Sequence, residues 1–350
     1  MSVDIEENLF NKDSSYLPLA LSQIMFGTWI AQAIYVVAFL GIADLLKDGA
    51  KDINELAQAT DSQAPYLYRI LRALASVEIF NEVEPYKFAL TPMAEYLQSN
   101  IPGSLRGLAI MLGDEWHWRC WGDIINIVKT GTPALKRLYQ ADDTFKYFAE
   151  NPKSAAIFND AMTGWSKYSH TAIVDAYNFF GIETIVDVAG GHGALIAAIL
   201  SANPKMFGIL FDLPHVISGA KDLLEAEGVS NRCQIESGNF FELVPANGDA
   251  YLLSHILHDW DDECCIQILS NIRKAISEKG RLLVVEGVVP PGNEPHLSKI
   301  MDIEMMIFYP RGKERTEIEY RQLFEAAGFH LNRILPTTTA ISLLEGVCIL

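Results

Sequence analysis

The segment Asp187-Val188-Ala189-Gly190-Gly191-His192-Gly193 decides the fold. It follows the apolar run Thr184–Val188 and precedes the helical run 194–200. Glycines between a strand and a helix let the backbone approach a ligand closely and adopt conformations that other residues resist. The segment therefore predicts a ligand site at the carboxyl end of the first strand of an α/β domain.

Short runs of Val, Ile and Leu alternate with helical stretches from residue 183 onward. Strands that alternate with helices predict a parallel, doubly wound sheet. Seven strands are expected, at 184–188, 207–211, 233–235, 250–253, 282–285, 329–334 and 346–350. Residues 181–350 are therefore predicted to form a complete α/β domain.

The first hundred residues predict a second, mostly helical domain. Helical patterns at 52–59 and 65–77 and a hairpin at 80–91 make a winged-helix pattern, which serves either DNA binding or dimerisation. Residues 1–100 carry 6 basic and 13 acidic side chains, a net charge of −7. Because phosphate contacts require a basic surface, we expect a dimerisation domain and no nucleic-acid partner.

Residues 101–180 read as a helical linker that holds four of the six tryptophans. Aromatic crowding of this kind is usually core, but part of it can line a pocket for a flat substrate. We therefore expect the linker to contribute to the pocket of a small-molecule substrate.

Bulk properties indicate a cytoplasmic protein without a membrane partner. The net charge of −17 disfavours anionic surfaces, and five cysteines without C-x-x-C spacing indicate neither a disulfide framework nor a zinc site. The run 24–43 is long enough to span a bilayer. No basic residue flanks it closely, and an apolar helix also suits the core of a dimer, which is the interpretation we favour.

Asp212 lies nineteen residues past Gly193, at the end of the next apolar run. An acidic side chain at this place is suited to accept hydrogen bonds from ribose hydroxyls, so a nucleoside-bearing cofactor is expected. A dinucleotide loop usually reads G-x-G-x-x-G, whereas here the glycines cluster behind Asp187. The compact form fits S-adenosylmethionine, which has no pyrophosphate to seat on the helix N-terminus.

With these features the chain resembles the class I S-adenosylmethionine O-methyltransferases of the plant caffeic acid and animal acetylserotonin type, which include many bacterial small-molecule enzymes. The matching segments are 187–193, 212–214, 258–265 and 312–316, together with 158–162 and the winged-helix pattern. The resemblance implies a Rossmann-like, seven-stranded methyltransferase domain behind a winged-helix dimerisation domain. It also implies a homodimer, S-adenosylmethionine as cofactor, no metal, and a small aromatic or polyketide-like hydroxyl as acceptor.

The resemblance implies cofactor contacts by the glycine turn and by residues after later strands, namely Asp187, Ala189, Gly190, Gly191, Gly193, Asp212, Leu213, Asn239, Phe240, Ser254 and Trp260. Asp212 is expected to hold the ribose, Asn239 and Phe240 to flank the adenine, and Trp260 to pack nearby. Three positions depart from the family: Ala189 replaces a glycine, Asn239 an aspartate, and Ser254 the lysine of plant members.

His258 follows the apolar run 250–253 and matches the family's proton acceptor. A neutral hydroxyl is a poor nucleophile, so a base with a pKa near the operating pH speeds its methylation, and histidine comes closest. A carboxylate on the other ring nitrogen can aim such a base. The resemblance gives that role to Glu286, at the end of an apolar strand, and to Glu314.

Alignment with the family places Met162, Trp165, Met305 and Tyr309 on the acceptor pocket. Plant relatives commonly have Asn in place of Tyr309 and Gly in place of Arg311, so a different acceptor is expected. Arg311 either pairs with an acceptor carboxylate or forms a surface salt bridge. Bacterial relatives often have Arg in place of His255, a difference for which the sequence offers no reason.

Two other functions fit parts of the sequence. One is non-methylating chemistry on the same fold, such as hydroxylation or decarboxylation. The presence of His258, Glu286 and Glu314 together disfavours it, because those reactions need no such base. The other is a winged-helix transcriptional regulator, which the acidic N-terminal domain disfavours.

Overall fold

The computed structural model describes residues 17–309 and 311–349 and, within them, every side chain except those of Lys167 and Tyr168. The chain divides into two compact units. The first comprises the described residues up to Gly122 together with Phe148–Trp165, and the second comprises Asp123–Tyr147 together with the described residues from Ser166 onward. The predicted linker 101–180 is thus divided between the two units.

Helix and hairpin patterns near the N-terminus form the expected winged helix. Helix α3 (Ile53–Ala59) is capped by Asp52, whose side chain accepts from the N–H of Asn54. The side chain of Glu55 in turn accepts from the N–H of Asp52, which completes a capping box. Helix α4 (Ala64–Ala75) buries Leu67, Leu71 and Leu74, spaced so that they share one face. Strands β1 (Lys51–Asp52), β2 (Phe80–Glu84) and β3 (Lys87–Leu90) form an antiparallel sheet in the order β1-β3-β2.

The apolar run near the N-terminus forms helix α1 (Leu17–Phe39). The predicted single helix over 24–43 is wrong at its end, because Gly41 adopts a left-handed backbone and starts a separate helix α2 (Ile42–Leu46). By length and composition α1 could cross a membrane. Only 17% of its most apolar window is buried within this chain. It exposes a row of large apolar side chains: Leu17, Leu19, Leu21, Ile24, Met25, Phe26, Trp29 and Phe39.

Short helices connect the winged helix to the α/β sheet. They are α5 (Pro92–Glu95), α6 (Arg106–Gly113), α7 (Glu115–Gly122), α8 (Ile124–Thr130), α9 (Ala134–Tyr139) and α10 (Thr144–Glu150), followed by the long α11 (Pro152–Ala176). Trp116 is buried in α7 and contacts the ring of Phe148 edge-on, so this aromatic pair is core in the first unit.

The second unit is built on the expected seven-stranded sheet. Its strands are β4 (Thr184–Val188), β5 (Phe207–Asp212), β6 (Cys233–Ser237), β7 (Ala250–Ser254), β8 (Arg281–Val289), β10 (Phe329–Pro336) and β11 (Ile341–Cys348). They lie in the order β10-β11-β8-β7-β4-β5-β6, and the two-residue β9 (Arg315–Thr316) pairs with the end of β8. The helices of this unit's C-terminal part are α12 (Ala194–Ala202), α13 (Ala220–Ala226), α14 (Asp262–Ala275), α15 (Leu297–Phe308) and α16 (Glu317–Ala326).

One strand of this sheet runs against the prediction of an all-parallel sheet. Strand β11 pairs antiparallel with both β8 and β10, while the pairs within β6-β5-β4-β7-β8 are parallel. The reason is the connection between β10 and β11, residues 337–340, which is too short for the crossover that a parallel pair requires. The last strand also starts earlier than expected, at Ile341, and Leu350 lies outside the described residues.

The strand order reverses at β4. From β4 the chain adds β5 and β6 on one side and then β7 and β8 on the other. In open α/β sheets the crevice at such a reversal, beyond the carboxyl ends of the strands, is where ligands bind. The glycine turn after β4 and the histidine that follows β7 lie at these two strand ends.

Candidate active site

The glycine turn after β4 requires left-handed backbone at three positions. Ala189, Gly191 and Gly193 have φ values of 58°, 61° and 84°. Glycine adopts this conformation freely, whereas a side chain costs about 1 kcal/mol, so Ala189 is strained. A Cβ atom on Gly190 would lie 2.5 Å from Oδ2 of Asp187. The turn therefore depends on its glycines, and it brings bare backbone to the strand end.

Two carboxyl groups lie beside this turn. Asp212 Oδ2 accepts from the N–H of Gly191 at 2.8 Å, and its Oδ1 accepts from the N–H of Leu213 at 2.6 Å. Burial raises the pKa of Asp212. Burial, and then the charge of Asp212, raise the pKa of Asp187 to about 7. Oδ2 of Asp187 is buried and has no hydrogen-bond partner among the described residues.

Aromatic rings gather in the segments that follow β6 and β7. Trp260 contacts the ring of Phe241 edge-on at 4.8 Å and that of Phe240 at 6.1 Å between centroids. Asn239 accepts a hydrogen bond from the N–H of Phe241 at 3.0 Å, which fixes its amide next to these rings. Asn271 holds the Phe240 carbonyl at 2.9 Å. The cluster offers apolar surface and one amide to a flat ring.

These features fit a nucleoside-bearing ligand. The backbone of the turn is open at Gly191, where an added Cβ atom would have no protein atom within 4 Å, and carboxylate oxygens of Asp212 retain lone pairs beyond their backbone hydrogen bonds. Asp187 supplies a buried oxygen without a partner, and a buried unsatisfied polar atom marks a place where a ligand or water completes the hydrogen bonding. The half-buried Ser254, at the end of β7, lies in register with Val285 of β8.

His258 lies on a 3-10 turn, Leu257–Asp259, directly after β7, and its side chain is buried. Its Nδ1 atom is 3.0 Å from Oε1 of Glu314 and 3.4 Å from Oε2 of Glu286. Its Nε2 atom lies 3.5 Å from Oδ1 of Asp259. The structure thus brings together the three predicted catalytic residues around one imidazole and adds a third carboxylate.

Glu286 has a second contact that the sequence did not indicate. Its fully buried Oε1 accepts from the N–H groups of Ile256 at 3.0 Å and Leu257 at 2.8 Å, and that of His258 lies at 3.4 Å. One carboxylate oxygen therefore holds the start of the 3-10 turn while the other faces the imidazole. Such charge-assisted hydrogen bonds are stronger than neutral ones and fix the position of the ring.

The carboxylates set the charge of this cluster. Burial disfavours a charged His258 ring, but Glu286, Asp259 and Glu314 outweigh burial and raise the pKa of His258 to about 10. Burial raises the pKa of Asp259 to about 7, although His258 acts in the opposite direction. Burial, and then Asp259, raise the pKa of the Tyr309 hydroxyl well above its usual value. The site therefore pairs a strong base with neutral and anionic neighbours.

A fully buried arginine, whose role the sequence did not reveal, holds the turn from the other side. Arg315 donates to the carbonyl oxygens of Leu257 and Trp260, both at 2.7 Å, and to Asp262 at 2.8 Å. The side chain of Asp302 likewise fixes the backbone of Glu314, because its Oδ1 atom accepts from the N–H of Glu314 at 2.9 Å. The signal available in the sequence was the position of Arg315 next to Glu314 in the matching segment 312–316.

His255 lies one residue past β7 and has a left-handed backbone, with φ of 55°. Its ring centroid is 5.5 Å from that of His258, and its buried Nε2 atom has no hydrogen-bond partner in the described part of the chain. Burial, and then the charge of His258, lower the pKa of His255 to about 4. A ring nitrogen of each histidine and an oxygen of Glu286 lie within 4.8 Å of one another, a spacing that could hold a metal ion.

The predicted acceptor residues fall in both units. Met305 is buried on α15, and Tyr309 follows that helix with its ring 6.1 Å from Phe145. Met162 and Trp165 lie on α11 in the first unit.

Arg311 forms the surface salt bridge that the sequence left open as one of its two roles. Its Nη1 atom lies 2.6 Å from Oδ2 of Asp261, and the arginine side chain is 73% exposed. An exposed pair of this kind contributes little to stability.

Known proteins resemble this chain over almost its whole length. The family described as O-methyltransferase domain matches residues 121–330, and the O-methyltransferase dimerisation domain matches residues 22–100. The phenazine O-methyltransferase PhzM of Lysobacter antibioticus is 44% identical, covering 96% of this chain and 98% of that protein. The 3-amino-4-hydroxybenzoate 4-O-methyltransferase of Streptomyces cremeus is 36% identical, and the match covers 91% of this chain and 87% of that protein. The crystal structure of CalO1, a methyltransferase in calicheamicin biosynthesis, in its SAH-bound form superposes on this chain with a TM-score of 0.86 at 33% sequence identity. The match covers 97% of this chain and 100% of CalO1.

Proposed function

This chain belongs to the family of S-adenosylmethionine-dependent O-methyltransferases that carry a dimerisation domain, and we propose that it methylates a hydroxyl of a small aromatic acceptor with His258 as the general base. The observation that carries the proposal is the buried imidazole at the carboxyl end of β7, with its Nδ1 atom 3.0 Å from Glu314. That contact occupies Nδ1, so Nε2, which lies 3.5 Å from Oδ1 of Asp259, is the nitrogen available to an acceptor hydroxyl.

The cofactor is held by the carboxyl ends of β4 and β5. S-adenosylmethionine supplies an electrophilic methyl group when bound. Asp212 would bind the ribose, the backbone of the turn from Asp187 to Gly193 would approach the methionine part, and Asn239 and Phe240 would flank the adenine. Leu213 and Ser254 complete the proposed set, and Trp260 packs on the aromatic side. Because the methyl group is already electrophilic, the reaction requires no metal.

Glu314 and Glu286 act as positioning residues. Each places a carboxylate oxygen within 3.4 Å of Nδ1 of His258, so the positive charge that forms when Nε2 takes a proton is stabilised. Glu286 also fixes the backbone of the turn through the N–H groups of Ile256 and Leu257. A base positioned in this way contributes about 10²–10⁴-fold to the rate.

The proton balance of the cluster has a kinetic consequence. With a pKa of about 10 the His258 ring holds a proton at neutral pH, and a base must first be free of that proton. We therefore expect kcat/KM to rise with pH above neutrality. The same carboxylates that make His258 a strong base also keep it protonated at rest.

The acceptor is proposed from the relatives and from the second unit. The relatives named above act on a phenazine and on 3-amino-4-hydroxybenzoate, both aromatic. Met305 offers a buried apolar side chain near Tyr309, which suits a flat ring. Arg311 is already paired with Asp261, so we assign it no acceptor carboxylate. The predictions for Met162 and Trp165 stay predictions.

We further infer a homodimer located in the cytoplasm. The dimerisation domain spans residues 22–100, and α1 presents large exposed apolar side chains such as Trp29 and Met25. A second copy of the chain would cover this surface, which would otherwise lie open to water. All five cysteines are free thiols, as is usual in a reducing compartment.

Incubation with methyl-labelled S-adenosylmethionine and a panel of phenols, naphthols and hydroxylated heterocycles tests the function. We expect label in an ether product of at least one aromatic hydroxyl, with the matching unreactive methyl ethers as controls. Binding of the cofactor without label in any product, or label only in products methylated at nitrogen, would contradict the proposal.

A further inference from the structure

His255 is a half-buried polar side chain that the mechanism above does not use. Its Nε2 atom is buried and has no hydrogen-bond partner within the described residues, and its ring lies 5.5 Å from that of His258. A buried polar atom without a partner costs about 1–3 kcal/mol, so its retention needs an explanation. The simplest physical explanation is a partner that arrives with the substrate.

The backbone holds this ring in place at some cost. His255 has a φ of 55°, and its N–H donates to the carbonyl of Val285 at 3.0 Å, so β8 fixes the strained residue. Left-handed residues that are not glycine cost about 1 kcal/mol and cluster at ligand sites, where the surrounding structure maintains them. The conformation turns the side chain toward His258 and Glu286.

We propose that Nε2 of His255 hydrogen-bonds a neutral heteroatom adjacent to the reacting hydroxyl, so that the enzyme selects aromatic acceptors that carry two neighbouring heteroatoms. The inference deepens the proposed function and rests on it, since it takes His258 as the residue that faces the hydroxyl. The ring centroids of His255 and His258 lie 5.5 Å apart. Neighbouring heteroatoms on an aromatic ring are closer together than the two rings are, so one hydrogen bond of about 2.8 Å from each ring would converge on such a pair.

Charge determines which heteroatom fits. Burial and the nearby cation of His258 keep the His255 ring neutral, with a pKa of about 4. A neutral imidazole both donates and accepts, so a ring nitrogen, an amino group or a second hydroxyl can pair with it. An adjacent carboxylate would instead add another negative charge beside the carboxyl groups of Glu286, Glu314 and Asp259, which already surround the cation of His258. The acceptor class is therefore a neutral vicinal pair, not a salicylate-like acid.

Two acceptors of nearly the same shape provide the test. 8-Hydroxyquinoline has a ring nitrogen beside its hydroxyl, and 1-naphthol has a C–H group there. Their dissociation constants are measured on the enzyme loaded with S-adenosylhomocysteine, with a chelator present, and kcat/KM is measured with S-adenosylmethionine. Salicylate is the anionic comparison. We expect the wild-type enzyme to favour 8-hydroxyquinoline over 1-naphthol by about tenfold or more, the equivalent of about 1.4 kcal/mol, and to disfavour salicylate.

Two substitutions separate recognition from folding. His255→Phe keeps an aromatic ring and removes the nitrogen, and His255→Asn suits the left-handed backbone but is too short to reach. We expect both to reduce the preference to within about twofold, while His296→Asn, a matched change at the N-cap of α15, leaves it intact. Equal losses for both acceptors, or no preference in the wild-type enzyme, would overturn the inference. A binding preference that persists without any methyl transfer would overturn the proposed function alone.

Discussion

Replacing Glu286 by glutamine removes one charge from the His258 cluster and keeps the shape of the side chain. In the wild-type protein Oε2 of Glu286 lies 3.4 Å from Nδ1 of His258, and Oε1 accepts from the N–H groups of Ile256 and Leu257. The glutamine oxygen can still accept from these groups. The main change is therefore electrostatic, and we expect the pKa of His258 to fall.

The size of the fall follows from the geometry. Two unit charges 3.4 Å apart attract by about 5 kcal/mol at an effective dielectric constant of about 20. Glu314 and Asp259 remain near the ring and retain part of the stabilisation. Each loss of about 1.4 kcal/mol lowers a pKa by one unit, so we expect the pKa of His258 to fall by about one to three units.

The acidic limb of the kcat/KM profile reports this change. The profile is measured between about pH 6 and pH 10 for the wild-type enzyme and for Glu286→Gln, because kcat/KM reports groups of the free enzyme. We expect the limb to move to lower pH by at least one unit. Glu345→Gln, another buried carboxylate on the neighbouring strand β11, is the control and leaves the limb in place. An unmoved limb in Glu286→Gln would refute the reasoning.

Stability changes in a related way. The folded pKa of His258, about 10, lies above its unfolded value of about 6.5. The stabilisation is therefore fully present below about pH 6.5 and is lost as the pH rises through 10. In Glu286→Gln the folded pKa of His258 is lower, so this stabilisation is already lost at a lower pH. The wild-type protein goes on losing its own stabilisation up to about pH 10. The difference in unfolding free energy between the two proteins therefore narrows between about pH 8 and pH 10.

Three further substitutions test other parts of the structure. Arg315→Met is expected to lower the unfolding free energy, measured by chemical denaturation, by about 3 kcal/mol, because it leaves buried carbonyl oxygens unpaired. The control Arg311→Met, at an exposed position, is expected to change it by less than about 1 kcal/mol. Equal effects of the two substitutions would contradict the structure. Gly190→Ala adds a Cβ atom for which there is no room, and we expect it to weaken cofactor binding, measured by calorimetry, at least tenfold. The control Gly122→Ala, where a Cβ atom has open space, is expected to leave cofactor binding unchanged. Unchanged affinity in Gly190→Ala would contradict the turn geometry. Trp29→Glu on α1 is expected to reduce the solution mass to one 38.9 kDa chain, and an undiminished dimer would place the interface elsewhere.

Much of the site was predictable because its residues follow apolar strands. His258 comes just after the run 250–253, and Glu286 ends another, so their types and places already indicated chemistry at one edge of a sheet. The role of Arg315 was not predictable, since it depends on carbonyl oxygens 55 and 58 residues away along the chain. The backbone contacts of Glu286 depend in the same way on how the turn after β7 folds back over β8.

The fold shows a similar division. Gly41 lies inside an apolar run, and hydropathy alone could not show that its left-handed backbone divides α1 from α2. The alternation of strands with helices predicted a parallel sheet throughout, and the predicted runs 329–334 and 346–350 left eleven residues between the last two strands. The strands extend to Pro336 and begin again at Ile341, so only a hairpin fits between them. Strand direction depended on exact boundaries, which periodicity does not define.

The central claim is that His258 acts on the acceptor and not on the cofactor. The single-turnover rate of methyl transfer by His258→Ala, with the enzyme saturated with S-adenosylmethionine, tests it most directly, and calorimetry gives the cofactor affinity in the same preparation. We predict a rate about 10²–10⁴-fold below that of the wild-type enzyme. The cofactor Kd is expected to stay within about threefold of the wild-type value. A rate close to that of the wild-type enzyme, or a loss of cofactor affinity that accounts for the slower reaction, would contradict the claim.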